Sequence, residues 1–372
     1  MVRLSYTCFG NHSGYSQAAQ DMILALHESG KYDIRIQYIQ ARALPQTGLS
    51  KDRRDLFLSM VEKERTDDHI QIFHCIPPSQ LNIAKTRKSI GYAMFETFEP
   101  PNSGPMDWIR ILNTNDAIIC PSKFNYKIFA HERVRKPLYY IPCCIDKKQF
   151  NPQVEKLEHY DRFTFLFFGT WKQRKGYPQL IEAFAREFSR TDNVQLVLKT
   201  SDISKAEASV SQILKNLGLH KKDIAPIIYE KRVFDDVSLP SFLKSVDCLI
   251  SPTLGEGFGL PGLQCMALGV PVSITDFSGC TDYANEHTCT LIKPDGYQLH
   301  PCLDNLPQYA RKKFAFISVE EVRRVMRYIM SNKAEIKIKA DAASQFVLQK
   351  FGYENVEKLF AEMLRNTFNA KI

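Results

Sequence analysis

An α/β fold of two doubly wound halves, each built on a parallel sheet, is what this sequence predicts. Three observations predict it. Short apolar strands alternate with amphipathic helices along the chain. The alternation restarts after a polar, charged stretch at residues 151–162. The length, 372 residues, suits two domains of ordinary size. A hydrophobic fraction of 44% with 24% charged residues excludes a disordered, collagen-like or coiled-coil chain.

In the first half, residues 3–8 read as a strand, followed by a glycine-containing loop from Phe9 to Tyr15. A helix is expected over 16–29, where Ala19, Met22, Ile23 and Leu26 recur at helical spacing and Gly30 is the stop. Residues 33–40 alternate as a strand through Ile34, Ile36 and Tyr38, and further strands fit 70–75, 89–95, 117–120 and 138–141. In the second half, 163–169 is a strand, and Pro178 suits the first turn of a helix striped by Leu180, Ile181, Phe184 and Phe188. Strands recur at 194–199, 226–229, 248–251 and 270–274. Residues 283–316, with Pro294, Gly296, Pro301 and Pro307, read as loop-rich. A last helix, 355–369, places Val356, Leu359, Phe360, Met363 and Leu364 on one face. The expected domains are 1–155 and 156–350, with 351–372 a C-terminal helix packing back toward the first.

The net charge of +8 divides evenly between residues 1–155 and the remainder. A dedicated nucleic-acid domain would concentrate it, so a nucleic-acid partner is allowed but not indicated. Ten cysteines include no Cys-x-x-Cys pair and read as reduced, buried thiols. Nine histidines show neither His-x-His nor His-Glu-x-x-His spacing, so no metal site is expected. No apolar run approaches the roughly 18–20 residues that span a bilayer, and no signal segment opens the chain. The expectation is a cytoplasmic protein without a transmembrane segment. A helix over 126–135, with Lys127, Arg133 and Arg135, reads as a solvated face that also permits peripheral membrane contact.

The segment Ser251 to Pro271 carries the most chemistry: a strand end, a glycine-rich turn, then a short helix starting near Pro261 and stopped by Gly269. Such a turn aims backbone N–H groups and a helix N-terminus at one point, which suits a phosphate. Glu256 lies in the turn, free to reach sugar hydroxyls. A tight turn using glycines only for backbone geometry would read the same way.

This segment closely resembles the donor-site signature of retaining, nucleotide-sugar-dependent glycosyltransferases with the GT-B fold, two Rossmann-like domains facing a cleft (glycosyltransferase family 4, or group 1). The run Glu256-Gly-Phe-Gly-Leu-Pro261 matches, so Gly257, Phe258, Gly259 and Leu260 are implied donor-binding residues. Glu256 stands where the family contacts the donor sugar. Seven residues separate it from Gln264, where the family has a second glutamate on the nucleotide ribose. An amide keeps hydrogen bonds there but loses the charge-assisted pair. The stretch Phe167-Phe-Gly-Thr-Trp-Lys-Gln-Arg-Lys-Gly176 resembles the loop whose cations hold the donor diphosphate. Lys175 matches the family lysine; Thr170 replaces the usual arginine, and Arg174 is its substitute. Two cations there would stabilise the charge that develops as the sugar leaves. A solvated basic loop is the alternative reading.

The resemblance extends further. Tyr140 to Phe150 resembles the interdomain segment, with Cys144 where glycine is usual, and Ala117 to Lys123 the strand end before it. Gly10 to Gly14 occupies the glycine loop that approaches donor phosphate and acceptor, making Gly14 a binding candidate. Lys199 and Thr200 end a strand facing the same crevice; Arg232 and Val233 stand where the base is read by backbone groups. Ser278 to Thr281 matches another site loop. The N-terminal catalytic histidine of many relatives has no counterpart; Glu96 is the polar residue nearest its place and His74 the other candidate.

The resemblance implies sugar transfer from a nucleotide diphosphate to an acceptor hydroxyl with retention, catalysed by Glu256, Lys175, Arg174 and Glu96. It implies no metal and no cofactor beyond the donor as substrate. Retaining glycosidases use two carboxylates about 5 Å apart, and nothing here supports such a pair. The family is thought instead to use front-face displacement, the leaving phosphate helping to take the acceptor proton. The acceptor is a glycan, lipid-linked or small hydroxyl compound; a hydroxymethylated DNA base is the first alternative. A non-catalytic sugar-nucleotide- or glycan-binding homologue is the second.

Overall fold

Twelve of the strands among the described residues form two parallel sheets of six, and the remaining two form a hairpin. The computed structural model describes residues 1–11, 13–39, 48–64, 66 and 68–372. His12 in the expected glycine loop and Gln40 at the expected strand end lie outside the described residues. The chain divides into two units: Met1–Gln149 with Phe234–Val237 and Leu348–Ile372, and Phe150–Val233 with Ser238–Val347.

The first unit contains β1 (Val2–Phe9), α1 (Gly14–Glu28), β2 (Tyr32–Ile39), α2 (Lys51–Val61) and β3 (Ile70–His74). It continues through β4 (Lys88–Tyr92), α3 (Trp108–Leu112), β5 (Ala117–Cys120), α4 (Lys123–His131) and β6 (Leu138–Tyr140). Strand order is β2-β1-β3-β4-β5-β6, all parallel. Order reverses between β1 and β3, the place where open α/β sheets bind ligands at their strands' carboxyl ends. Ser13 caps α1, its Oγ accepting the Ser16 N–H at 3.2 Å. Strand β4 ends at Tyr92, short of the expected Phe95. The chain leaves the ladder because the Phe95 N–H donates instead to Asn125 Oδ1 at 2.6 Å.

The second unit runs β7 (Phe163–Phe168), α5 (Tyr177–Glu187), β8 (Val194–Lys199), α6 (Ile203–Asn216), β9 (Ile227–Glu230), α7 (Ser238–Lys244) and β10 (Cys248–Ser251). Then come α8 (Leu260–Ala267), β11 (Val272–Thr275), β12 (Thr290–Ile292), β13 (Gly296–Cys302), β14 (Ala310–Phe316), α9 (Val319–Ser331) and α10 (Lys333–Phe351), whose last four residues fall in the first unit. Its sheet has the order β12-β11-β10-β7-β8-β9, again parallel, with the reversal between β7 and β10. Residues 283–316 are not simply loop. They hold β12 and the antiparallel β13–β14 hairpin, whose prolines fall at its ends while Tyr297 and Leu299 alternate with polar residues.

The last helix, α11 (Tyr353–Phe368), belongs to the first unit. Val356, Phe360, Met363 and Leu364 join the core of β1, β2 and α1. Tyr32 meets Phe360 edge-on at 5.9 Å and donates its hydroxyl to Glu357 at 2.8 Å. All ten cysteines are free thiols, nine of them buried. No helix among the described residues is long and apolar enough to cross a membrane.

Candidate functional site

At the reversal in the second sheet, the chain leaving β7 and the chain leaving β10 meet. After β7 comes a 3-10 turn, Gln173–Lys175, closed by Gly176 at φ 73°. A Cβ on Gly176 would fall 1.8 Å from the Pro252 carbonyl oxygen, so only glycine brings the turn this close to the β10 exit. The Leu254 N–H donates to the Arg174 carbonyl at 2.7 Å, and Thr253 Oγ1 donates to the same oxygen at 3.1 Å.

Glu256 stands in this junction, 7% exposed. Its carboxylate accepts from Lys175 Nζ at 2.5 Å and from Arg174 Nη1 at 3.4 Å, while Arg174 Nη1 also donates to the Gly255 carbonyl at 2.5 Å. Burial alone would raise the carboxyl pKa, but Lys175 and Arg174 outweigh it and hold the pKa below the ordinary range. The backbone of Glu256 is gripped on both sides. Its N–H donates to Ser278 Oγ at 2.8 Å, and its carbonyl accepts from the Gly279 N–H at 2.9 Å.

Gly259, at φ 89°, opens α8; its carbonyl accepts the Tyr283 hydroxyl at 2.6 Å, and no side chain caps the helix. Phe258 and Leu260 are buried beside it. Gln264 follows on α8, 4% exposed, its amide making no hydrogen bond among the described residues. The resemblance puts Ser278 in a site loop, but neither its hold on the Glu256 N–H nor that of Tyr283 on Gly259 was legible in the sequence. Ser278 adopts φ 65°, a strained setting for serine that places its hydroxyl under the Glu256 N–H.

Lys199, Arg232 and Val233 form a second group at the ends of β8 and β9. Lys199 Nζ donates to the Arg232 carbonyl at 2.5 Å, and burial lowers its pKa. Arg232 grips Glu230 with Nε at 2.9 Å and Nη2 at 2.5 Å, and pairs Glu158 at 2.5 Å. Val233 is exposed.

Gly14, His74 and Glu96 lie in the first unit, past the carboxyl ends of β1, β3 and β4 or at them. A Cβ on Gly14 would meet nothing within 4 Å. Glu96 is half-buried, four residues beyond β4. His74 is a core residue: 1% exposed, stacked on Tyr92 at 3.7 Å, with Nδ1 2.7 Å from the Tyr6 hydroxyl. Burial pushes its pKa down to about 3, so the ring is neutral.

Residues 162–300 match the family model "Glycosyl transferases group 1". Over that segment the chain is similar to group 1 glycosyltransferases, and its two parallel sheets make the GT-B fold. That family resembles it in the segment holding Arg174, Lys175 and Glu256. Two solved structures share the fold over nearly the whole length of this chain. HepE from Anabaena, in complex with UDP and glucose, has a TM-score of 0.70 at 13% identity, covering 98% of this chain and 100% of that one. Sucrose-phosphate synthase from Thermosynechococcus elongatus has 0.71 at 14%, covering 100% of each. Among curated relatives, the serotype-specific mannosyltransferase WbdA of Escherichia coli is 27% identical over 124 residues, 33% of this chain and 15% of that protein. The MMP alpha-(1->4)-mannosyltransferase of Mycolicibacterium hassiacum is 26% identical over 136 residues, 36% of this chain and 30% of that protein. The matched segment thus spans under a third of these relatives' lengths.

Proposed function

We propose that this protein is a retaining, metal-independent hexosyltransferase moving a sugar from a nucleotide diphosphate to an acceptor hydroxyl. The observation that carries the reading is the convergence of Arg174, Lys175 and Glu256 at the β7/β10 reversal, beside the uncapped start of α8. Two cations there suit a diphosphate, and they would stabilise the charge that grows on it as the glycosidic bond breaks. Glu256, anionic and fixed through its backbone, suits sugar hydroxyls as acceptor of their hydrogen bonds. The unpaired amide of Gln264 suits the ribose.

The second unit takes the donor and the first the acceptor, with Glu96 and Gly14 as its candidate contacts. The donor is a substrate, and no resident cofactor takes part. In front-face transfer the departing phosphate oxygen receives the acceptor's proton, so the protein orients and neutralises rather than supplying a nucleophile. HepE, bound to UDP and glucose, and the two mannosyltransferases support a nucleotide-linked hexose. A cytoplasmic setting fits ten cysteines that form no disulfide.

A calorimetric screen of UDP-, GDP-, ADP- and dTDP-sugars, followed by a transfer assay with the tightest binder, tests this. We expect one donor to bind, and Glu256→Ala and Lys175→Ala each to cut transfer by roughly 100-fold or more. Protein that neither binds nor turns over any nucleotide sugar would overturn it.

A further inference from the structure

The β13–β14 hairpin rests on the cation turn. A two-stranded hairpin is marginal in water by itself and takes its order from what it packs against. Here the crossing residues Leu303–Asn305 and Pro307–Tyr309 bring two side chains to Gln173–Lys175. Asp304 Oδ1 accepts the Gln173 N–H at 2.6 Å. The buried Tyr309 ring lies 5.8 Å from the Arg174 guanidinium, within cation–π range. The returning strand adds a third link, Ala315 N–H to the Leu254 carbonyl at 3.0 Å, and the Leu254 N–H itself donates to Arg174.

The hairpin holds this contact against its own preferences. Asp304, Asn305 and Arg311 all sit in the left-handed region, at φ 56°, 56° and 53°. The second carboxylate oxygen, Asp304 Oδ2, is enclosed without a hydrogen-bond partner. Strain and a half-satisfied carboxylate at one turn are unfavourable for stability, and such features concentrate where geometry is needed for function. The family model ends at residue 300, so this crossing is not part of the matched segment.

We propose that the hairpin crossing is a brace for the cation turn, with Asp304 and Tyr309 as positioning residues that set Arg174 and Lys175 for a diphosphate. The proposal rests on the donor-site reading above. Asp304 fixes the turn's backbone, and Tyr309 offers the guanidinium a face without competing for its N–H donors. Neither residue need touch the substrate.

The test uses the full chain and two pairs of variants. Asp304→Ala removes the acceptor for the Gln173 N–H, whereas Asp304→Asn keeps an oxygen in its place. Tyr309→Leu removes the ring face, whereas Tyr309→Phe keeps it. Amide hydrogen exchange is followed over residues 172–176 and 253–256, and UDP and GDP are titrated. Asp304→Ala should speed exchange in both segments about tenfold and weaken nucleoside diphosphate binding about tenfold, the scale of one lost hydrogen bond. Tyr309→Leu should weaken binding by about fivefold. Asp304→Asn and Tyr309→Phe should recover the wild-type values. Unchanged exchange in Asp304→Ala overturns the brace, as does unchanged nucleotide affinity with only a lowered melting temperature. If wild-type protein binds no nucleoside diphosphate, the donor reading fails, while the exchange measurement still decides the brace.

Discussion

Glu256 engages both cations expected to meet the donor, so a diphosphate reaching Lys175 and Arg174 must share them with a carboxylate. Replacing Glu256 by Gln should therefore separate two measurements. Transfer should fall by about 100-fold, while titrated nucleoside diphosphate binds as tightly as to wild type or tighter, because the cations lose an anionic competitor. The pH response follows from the lowered pKa. Stability from this ion pair is present above the ordinary carboxyl value and is lost as pH falls through the lower folded value. Asp21 has the opposite sign. Burial raises its pKa from 3.8 to about 7, with Gln17 and Arg53 opposing. The folded protein then holds a proton that the unfolded chain releases, so stability declines between pH 4 and 7 and levels off above. Asp21→Asn should erase that slope, gaining about 2–4 kcal/mol at pH 8 and little at pH 4 in urea titrations.

Among the elements, the turn closed by Gly176 shows how tightly the β7 and β10 exits are fitted. Gly176→Ala should cost about 2–4 kcal/mol in urea unfolding, because a left-handed φ and the Pro252 carbonyl both oppose a side chain. Most strands here were legible because they are short apolar runs covered on both faces, as in β10, where Cys248, Leu249 and Ile250 are buried. The site turn was legible because Gly255, Gly257 and Gly259 flank Glu256 in one short run and Arg174 and Lys175 lie in another. The contact between the two runs spans 81 residues and is tertiary. Helices α2, α3, α6, α7, α9 and α10 were not located, and α2 and α6 show one reason. Each of these two buries only two or three side chains, too few to mark a stripe. The hairpin was misread because proline and glycine spacing outweighed a brief alternation. Its link from Asp304 to Gln173 spans 131 residues and follows from tertiary packing rather than local pattern. His74 was a reasonable candidate by position. Its enclosure by Tyr6 and Tyr92, from two other strands, makes it a core residue instead.

At the scale of the molecule, the first unit is discontinuous: its sheet comes from residues before 150, while α11 arrives after 347. Four buried apolar side chains of α11 contribute about 6–12 kcal/mol by their removal from water. That is comparable with the whole stability of an ordinary domain. A fragment of residues 1–149 should therefore lack a cooperative thermal transition, and adding a peptide of residues 348–372 should restore one by calorimetry. Retention of a sharp transition by 1–149 alone would show that α11 is dispensable. The same discontinuity sets an order of events during synthesis. The first sheet leaves the ribosome early but must wait for about 200 more residues before its covering helix exists. At roughly 5–20 residues per second, the wait is about 10–40 s. The second unit, continuous but for four residues, completes in that interval. The half made first finishes folding last, its apolar face open until α11 arrives.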